Sequence, residues 1–196
     1  MRKPQREDWK TYNDVFDQFT ERTISDMIIK HVLDGLGGPI SMGKEANVFT
    51  ATKGEEQLAV KIYLLQTANF NKIYSYIKSD PRFSGLGRQR RKIIFAWCQR
   101  EYKNLLRARE NGVNVPTPRA FSNNVLVMNM IGTDNPAPRL NKQAPKNPET
   151  FLKELITQMQ RLHGAGLVHG DLSPFNILND EERPVLIDLS HGTPLD

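Results

Sequence analysis

The sequence predicts a bilobal α+β fold. An N-terminal helix precedes a small antiparallel sheet with one internal helix, and a connector leads into a second lobe of one helix followed by a loop-and-strand site. Three observations carry this. Two β-prone runs, 47–51 and 58–63, flank the turn Lys53-Gly54-Glu55-Glu56. The stretch 132–148 holds four prolines and no periodic pattern, so it joins two bodies rather than belonging to one. A helix with an apolar stripe then runs into a loop and short strands that carry acids and an amide.

In chain order, residues 16–36 read as a helix, with Ile24, Met27, Ile28, Val32 and Leu36 on one face. Gly35, Gly37 and Gly38 end it, and Pro39 prevents a restart. The hairpin follows. Within 66–91, residues 69–77 have helical character. Asp80-Pro81 and Gly85-Leu86-Gly87 break any longer element, so a long loop or mobile segment is expected. A helix over 92–110 stops at Asn111-Gly112. Pro116 and Pro118 lead to a strand at 119–121, which Ser122-Asn123-Asn124 turns into a second one at 125–130. That strand is nearly all apolar and should be buried on both faces. After the connector, Asn147 is an N-cap with Pro148 at the first helical position. Phe151, Leu152, Leu155, Ile156, Met159 and Leu162 form the stripe of this helix, and Gly164 stops it. Short pieces at 167–168, 177–178 and 185–187 follow.

Composition narrows the function classes. The single cysteine, Cys98, excludes a disulfide framework and a cysteine zinc site. No apolar run approaches the roughly 20 residues of a spanning helix. The charged start Met1-Arg2-Lys3-Pro4 leads into no apolar stretch, so a cytoplasmic protein with no membrane partner is expected. A net charge of +5 suits an anionic partner such as a nucleotide or a ribonucleoprotein.

The chemistry concentrates in His169-Gly170-Asp171-Leu172-Ser173-Pro174-Phe175-Asn176, followed by the apolar strand ending in Ile187-Asp188. A phosphoryl-transfer site needs one carboxylate to orient the attacking hydroxyl. It also needs an amide and a second carboxylate to hold divalent metal against the phosphates. Asp171 fits the first role, Asn176 and Asp188 the other two. His169 is expected to hold the loop by hydrogen bonds. Lys61 lies in an apolar strand, where a buried ammonium needs a partner. Glu101, at the edge of the apolar face of its helix, can supply one. The pair has the form of the lysine–glutamate ion pair that aligns nucleotide phosphates. Ser41-Met42-Gly43-Lys44-Glu45-Ala46-Asn47-Val48 precedes the hairpin where a loop would fold over phosphates. With one glycine it is neither G-x-G-x-x-G nor a Walker A loop. Ser41 and Lys44 could still contact phosphate, with Glu45 and Val48 alongside. Met128 and Met130 would line an adenine pocket at the lobe junction, where backbone groups would meet the adenine edge. Arg88, Arg90, Arg91 and Lys92 form a basic run that reads as a solvated face or an anchor for RNA or an acidic substrate.

With these motifs in place, the chain resembles the RIO-type atypical protein kinases. Residues 41–48 are similar to the S-T-G-K-E-A-N-V loop of the first RIO subfamily, with Met42 where the family has threonine. Residues 169–176 look like the H-G-D-L-S-x-x-N catalytic loop, and Ile187-Asp188-Leu189-Ser190 like the metal-binding I-D-x-S. The resemblance implies a trimmed kinase-like fold, with an N-terminal helical extension over 1–38, a nucleotide-binding lobe over 39–131, and a hinge with a partial second lobe over 132–196. It implies ATP, Mg²⁺ or Mn²⁺, and transfer to serine, including autophosphorylation with Ser79 or Ser84 as sites. Catalytic roles fall to Asp171, Lys61 and Glu101. It further implies an aspartate at position 188 that can itself accept phosphate, and a role in maturation of the small ribosomal subunit. Family members continue with further helices, whereas this chain ends eight residues after Asp188, so a fragment or a shortened member is expected, and the absence of disordered tails suggests an archaeal-like version. The alternatives left open are a small-molecule phosphotransferase of the aminoglycoside type and an ATP-binding assembly factor with little transfer.

Overall fold

A computed structural model describes residues 16–195. The first fifteen residues of the expected extension, and Asp196, lie outside the described residues.

Strand alternation organises the first lobe. Five antiparallel strands, β1 (Gly35–Met42), β2 (Ala46–Lys53), β3 (Glu56–Tyr63), β4 (Pro118–Ser122) and β5 (Val125–Asn129), form one sheet in the order β1-β2-β3-β5-β4. Successive side chains of a strand face opposite sides. Leu58, Val60 and Ile62 therefore join Val125 and Val127 on one face, under Ile24 and Met27 of α1 (Gln18–Ile29). Ala59 and Tyr63, with Leu126 and Met128, face the other side, against α3 (Arg90–Glu110). Lys61 lies between Ala59 and Tyr63, so the alternation carries it to that second face. The apolar strand at 125–130 is buried on both faces, as expected.

Two elements differ from the sequence expectation. The first helix stops at Ile29, not near residue 36. His31 takes a left-handed φ of 54°, and the amides of His31 and Val32 bond back to the carbonyls of Ile28 and Met27. This is a Schellman ending, which usually recruits glycine. The glycines and Pro39 lie in edge strand β1, where register shifts on either side of Pro39 accommodate its missing donor. The second difference is segment 66–91. The helical character expected over 69–77 is present as α2 (Phe70–Ser79), but the breakers after it form a 3₁₀ turn at Pro81–Phe83 rather than a long loop. Phe70, Ile73, Ile77 and Phe83 are buried in the core shared with α3.

The second lobe is small. α4 (Pro148–Gly164) begins at Asn147, whose side chain accepts from the Thr150 amide. Two antiparallel pairs follow: β6 (Leu167–Val168) with β9 (Thr193–Pro194), and β7 (Ile177–Asp180) with β8 (Arg183–Leu186). The stripe expected on α4 is only partly covered. Phe151 and Leu162 are buried, whereas Leu152, Ile156 and Met159 are exposed. Gln158 is buried instead, because its carbonyl accepts the Asn114 amide at 2.6 Å. No helix among the described residues is long and apolar enough to cross a membrane.

Candidate functional site

A cleft of about 1080 Å³ opens between the lobes. It is lined by every residue singled out for chemistry: Ser41, Lys44, Glu45 and Val48 on one wall, Lys61 and Glu101 at the back, Met128 and Met130 at the junction, and Asp171, Asn176 and Asp188 opposite.

Lys61 is its electrostatic centre. Its ammonium donates to Glu101 Oε1 at 3.0 Å and to Asp188 Oδ1 at 2.8 Å. Glu101 comes from α3 and Asp188 from the second lobe, so one lysine ties both lobes at the cleft. Burial works against the charge on Lys61, but the carboxylates of Asp188 and Glu101 outweigh it and hold the ammonium above its ordinary range. Burial also works against Asp188, and the contacts from Lys61 and Ser190 overcome it, so this carboxyl stays well below the usual range. Glu101 is different. Its side chain is 1% exposed, and burial prevails over Lys61, raising its pKa. The Tyr63 hydroxyl donates to Glu101 Oε2 and fixes its orientation. Tyr63 follows Lys61 by two residues on the same strand face, yet nothing in the local sequence marks it as a partner.

Asp188 has left-handed backbone angles, φ 61° and ψ 59°, and its carboxylate accepts from Ser190 Oγ at 2.6 Å. The backbone just beyond it is gripped by α3. Asn104 Nδ2 donates to the carbonyls of Leu189 and Gly192, both at 2.8 Å. The fully buried Arg100 donates to Gly192 and to the Tyr76 carbonyl of α2. These two polar residues of α3 were missed in the sequence, where a helix-interior Asn and Arg read as surface.

The loop at 169–176 is set by His169. Its Nδ1 accepts the Asp171 amide at 3.4 Å, so Nε2 carries the proton and donates to the Ile187 carbonyl at 3.0 Å. Burial keeps this ring below the ordinary histidine range, consistent with a neutral, structural imidazole. Gly170 has φ 77°, and a Cβ there would stand 2.4 Å from the His191 carbonyl oxygen, so no other residue fits. Asn176 Nδ2 donates to the Asp171 carboxylate at 3.1 Å and to its carbonyl at 2.9 Å. The amide oxygen of Asn176 is thus left for another ligand.

The turn over the cleft is pinned rather than loose. Buried Asn47 accepts the Gly43 amide, Thr67 Oγ1 donates to the Lys44 carbonyl, and Asn69 donates to Glu45 at 2.8 Å. Ser41 Oγ accepts from Arg139 at 2.9 Å. Arg139 belongs to the connector, and the proline-rich composition around it gave no sign of a bridge to the turn. At the junction, the Met130 amide already donates to the Gln57 carbonyl at 3.1 Å. Met130 lines the pocket, and its amide is already bonded within the chain.

Among the described residues, no group of three or more His, Cys, Asp or Glu gathers to hold a metal. The available donors are hard oxygens, from Asn176 and the ionised Asp188. This set fits Mg²⁺ or Mn²⁺, which are commonly bound through one or two protein oxygens together with substrate phosphates.

A model of the RIO domain family matches residues 47–196. The chain is 41% identical over 194 residues to the RIO-type serine/threonine-protein kinase Rio1 of Haloferax volcanii, covering 98% of this chain and 67% of that protein. It is 42% identical over 189 residues to the protein of that name from Methanocaldococcus jannaschii, covering 95% of this chain and 64% of that one. The chain thus spans about two thirds of the length of these archaeal relatives. Among solved structures it is similar to the Rio2 kinase of Chaetomium thermophilum, with TM-score 0.69 and 23% identity, covering 89% of this chain and 54% of that one. A second structure of that kinase, a complex with ADP/Mg²⁺ and phosphoaspartate, matches with TM-score 0.65 and 22% identity, covering 89% of this chain and 53% of that one.

Proposed function

The chain belongs to the RIO domain family, whose relatives carry the name of serine/threonine-protein kinases, and from that premise we propose that it transfers the γ-phosphate of ATP to a protein serine, including its own. The observation that carries the proposal is the buried ammonium of Lys61, held between Glu101 of one lobe and Asp188 of the other. A cation fixed in a cleft of nucleotide size is an electrostatic clamp for phosphates.

In this reading Lys61 aligns the α and β phosphates, and Glu101 anchors its ammonium from the α3 side. Met128 and Met130 wall the base, while Ser41, Lys44, Glu45 and Val48 cover the phosphates. Asp171 orients the acceptor hydroxyl, and the Asn176 amide fixes the Asp171 carboxylate. Asn176 Oδ1 and Asp188 would hold Mg²⁺ or Mn²⁺, which neutralises phosphate charge when bound with the nucleotide. The serine oxygen forms the new bond to phosphorus as the bond to ADP breaks, and its proton passes to Asp171.

A second reading is favoured by Asp188 itself. It is ionised and opens to the cleft beside Lys61, so it could take the γ-phosphate as an acyl phosphate that water then hydrolyses. The protein would act as an ATP-driven switch. The phosphoaspartate in the similar Rio2 complex supports this reading. Net charge of +5 supports a ribonucleoprotein partner such as a pre-ribosomal small subunit.

The experiment is incubation with γ-labelled ATP and Mg²⁺ beside an Asp171→Asn variant. Acid-stable serine label that falls about 10²–10³-fold in the variant, with ATP affinity kept, supports the kinase. Hydroxylamine-labile label with free phosphate supports the switch. Serine transfer at an unchanged rate in the variant would overturn the role of Asp171.

A further inference from the structure

The outer side of α2 and the first turn of α3 carry cations that the cleft chemistry does not use. Arg88, Arg90, Arg91 and Lys92 are all exposed. None of them forms a salt bridge among the described residues.

Aromatic rings hold three of them in place. The Arg90 guanidinium carbon lies 4.3 Å from the Phe70 ring centroid, that of Arg88 5.1 Å from Tyr74, and that of Arg91 5.0 Å from Phe19. Phe70 and Tyr74 stack at 6.3 Å, so Arg88 and Arg90 share one surface. Phe19, which carries Arg91, stacks on Phe95 of α3 at 5.5 Å. Arg88 also donates to Asn71, and Arg90 to the Thr67 carbonyl. Guanidinium groups fixed in this way lose less freedom on meeting an anion than free side chains do.

The placement is also unfavourable for the helix itself. α3 starts with Arg90, Arg91 and Lys92, has no acid in its first turn and no side-chain cap from Gln89. A helix N-terminus already carries roughly half a positive elementary charge. The cations therefore repel the end on which they sit, and a bound polyanion would relieve that repulsion.

We propose that this surface binds the backbone of single-stranded nucleic acid. Charge complementarity names the phosphodiester. The arginines favour a nucleic acid over an acidic peptide, because a guanidinium offers both a fork for phosphate and a plane for bases, and a peptide would use only the charge. The inference does not rest on the transfer chemistry of the cleft.

The test uses the full chain without ATP and a fluorescein-labelled poly(U) strand, read by anisotropy across a salt series. In the variant with Arg88, Arg90, Arg91 and Lys92 all changed to Gln, the slope of log K against log salt should flatten by about 2–3, and affinity at about 100 mM salt should fall 10-fold or more. A control with Lys30, Lys53, Lys146 and Lys153 changed to Gln removes the same charge elsewhere and should stay within about twofold. Equal losses in both variants, no binding by the parent chain, or equal displacement by polyglutamate of matched charge would each overturn the proposal. If the fourfold variant melts early, Arg88→Gln and Lys92→Gln alone are read instead. Each should then weaken binding about threefold, and no change in either would overturn the proposal.

Discussion

Changing Glu101 to glutamine keeps the shape of a buried side chain and removes its charge. Glu101 accepts from Lys61 and Tyr63 and is 1% exposed. Removing one partner of a buried ion pair typically costs about 3–5 kcal/mol. Two features of the site lower that figure. Lys61 keeps Asp188 at 2.8 Å, and burial already disfavours the charged form of Glu101. The expected loss is therefore about 1–3 kcal/mol. For a domain of this size it lowers Tm by roughly 3–10 °C. The catalytic effect should be larger than the stability effect implies. Without Glu101, the ammonium loses its anchor on α3 and is no longer fixed in place for the phosphates, so kcat should drop about 10²–10³-fold. Thermal melts by circular dichroism and initial rates with labelled ATP read the two effects separately. Tyr63→Phe serves as the contrast. It removes a hydrogen bond worth about 1 kcal/mol and leaves the ion pair, so kcat should barely move. A Glu101→Gln protein that melts within about 1 °C of the parent and transfers phosphate at the parent rate would refute the reasoning.

Two further predictions follow from the site's margins. His169 and His191 are both held below the ordinary histidine range by burial, so the folded chain keeps them neutral. Below about pH 6.5 the unfolded chain binds more protons, so their contribution is complete above that pH and is lost as pH falls. Tm should decline between about pH 7 and 5, and His191→Gln should flatten the decline; an unchanged slope in that variant would contradict the assignment. Arg139→Ala breaks the contact between the connector and Ser41 at 2.9 Å, which should raise KM for ATP about fivefold while kcat stays within twofold. A loss confined to kcat would place Arg139 in the chemistry instead.

What could be read from the sequence was local. The turn at Lys53-Gly54-Glu55-Glu56 joins β2 to β3 where a hairpin was expected, and the flanking runs are the strands. Lys61 drew notice as a lone charge in an apolar strand, and Glu101 as a carboxylate on the edge of an apolar face. The turn 41–48 and the loop 169–176 were legible as motifs. What could not be read depends on distance in the chain or on residues in uncommon roles. Lys61 and Asp188 are 127 positions apart, and no local pattern encodes their contact. The first helix ends on His31 in a conformation usually given to glycine, so the sequence placed its end several residues late. Helix α2 was legible over 69–77, but the packing of the residues after it was not, since the breakers there masked the buried Phe83. Arg100 and Asn104 look like surface residues until the carbonyls of 189 and 192 are seen to lie against them. On α4, the pattern marked apolar positions without showing which are covered, and Leu152, Ile156 and Met159 are not.

In this reading the cleft is a single nucleotide site whose metal is held jointly by protein and phosphates. Calorimetric titration of Mn²⁺ into the chain, with and without a non-hydrolysable ATP analogue, for the parent and for Asp188→Asn, probes this joint hold. Two protein oxygen donors are too few to hold the ion alone. The parent should therefore bind Mn²⁺ weakly by itself and at least about tenfold more tightly with the analogue, and Asp188→Asn should lose most of that gain. Metal binding that is equally tight without nucleotide, or a gain untouched by Asp188→Asn, would contradict the account.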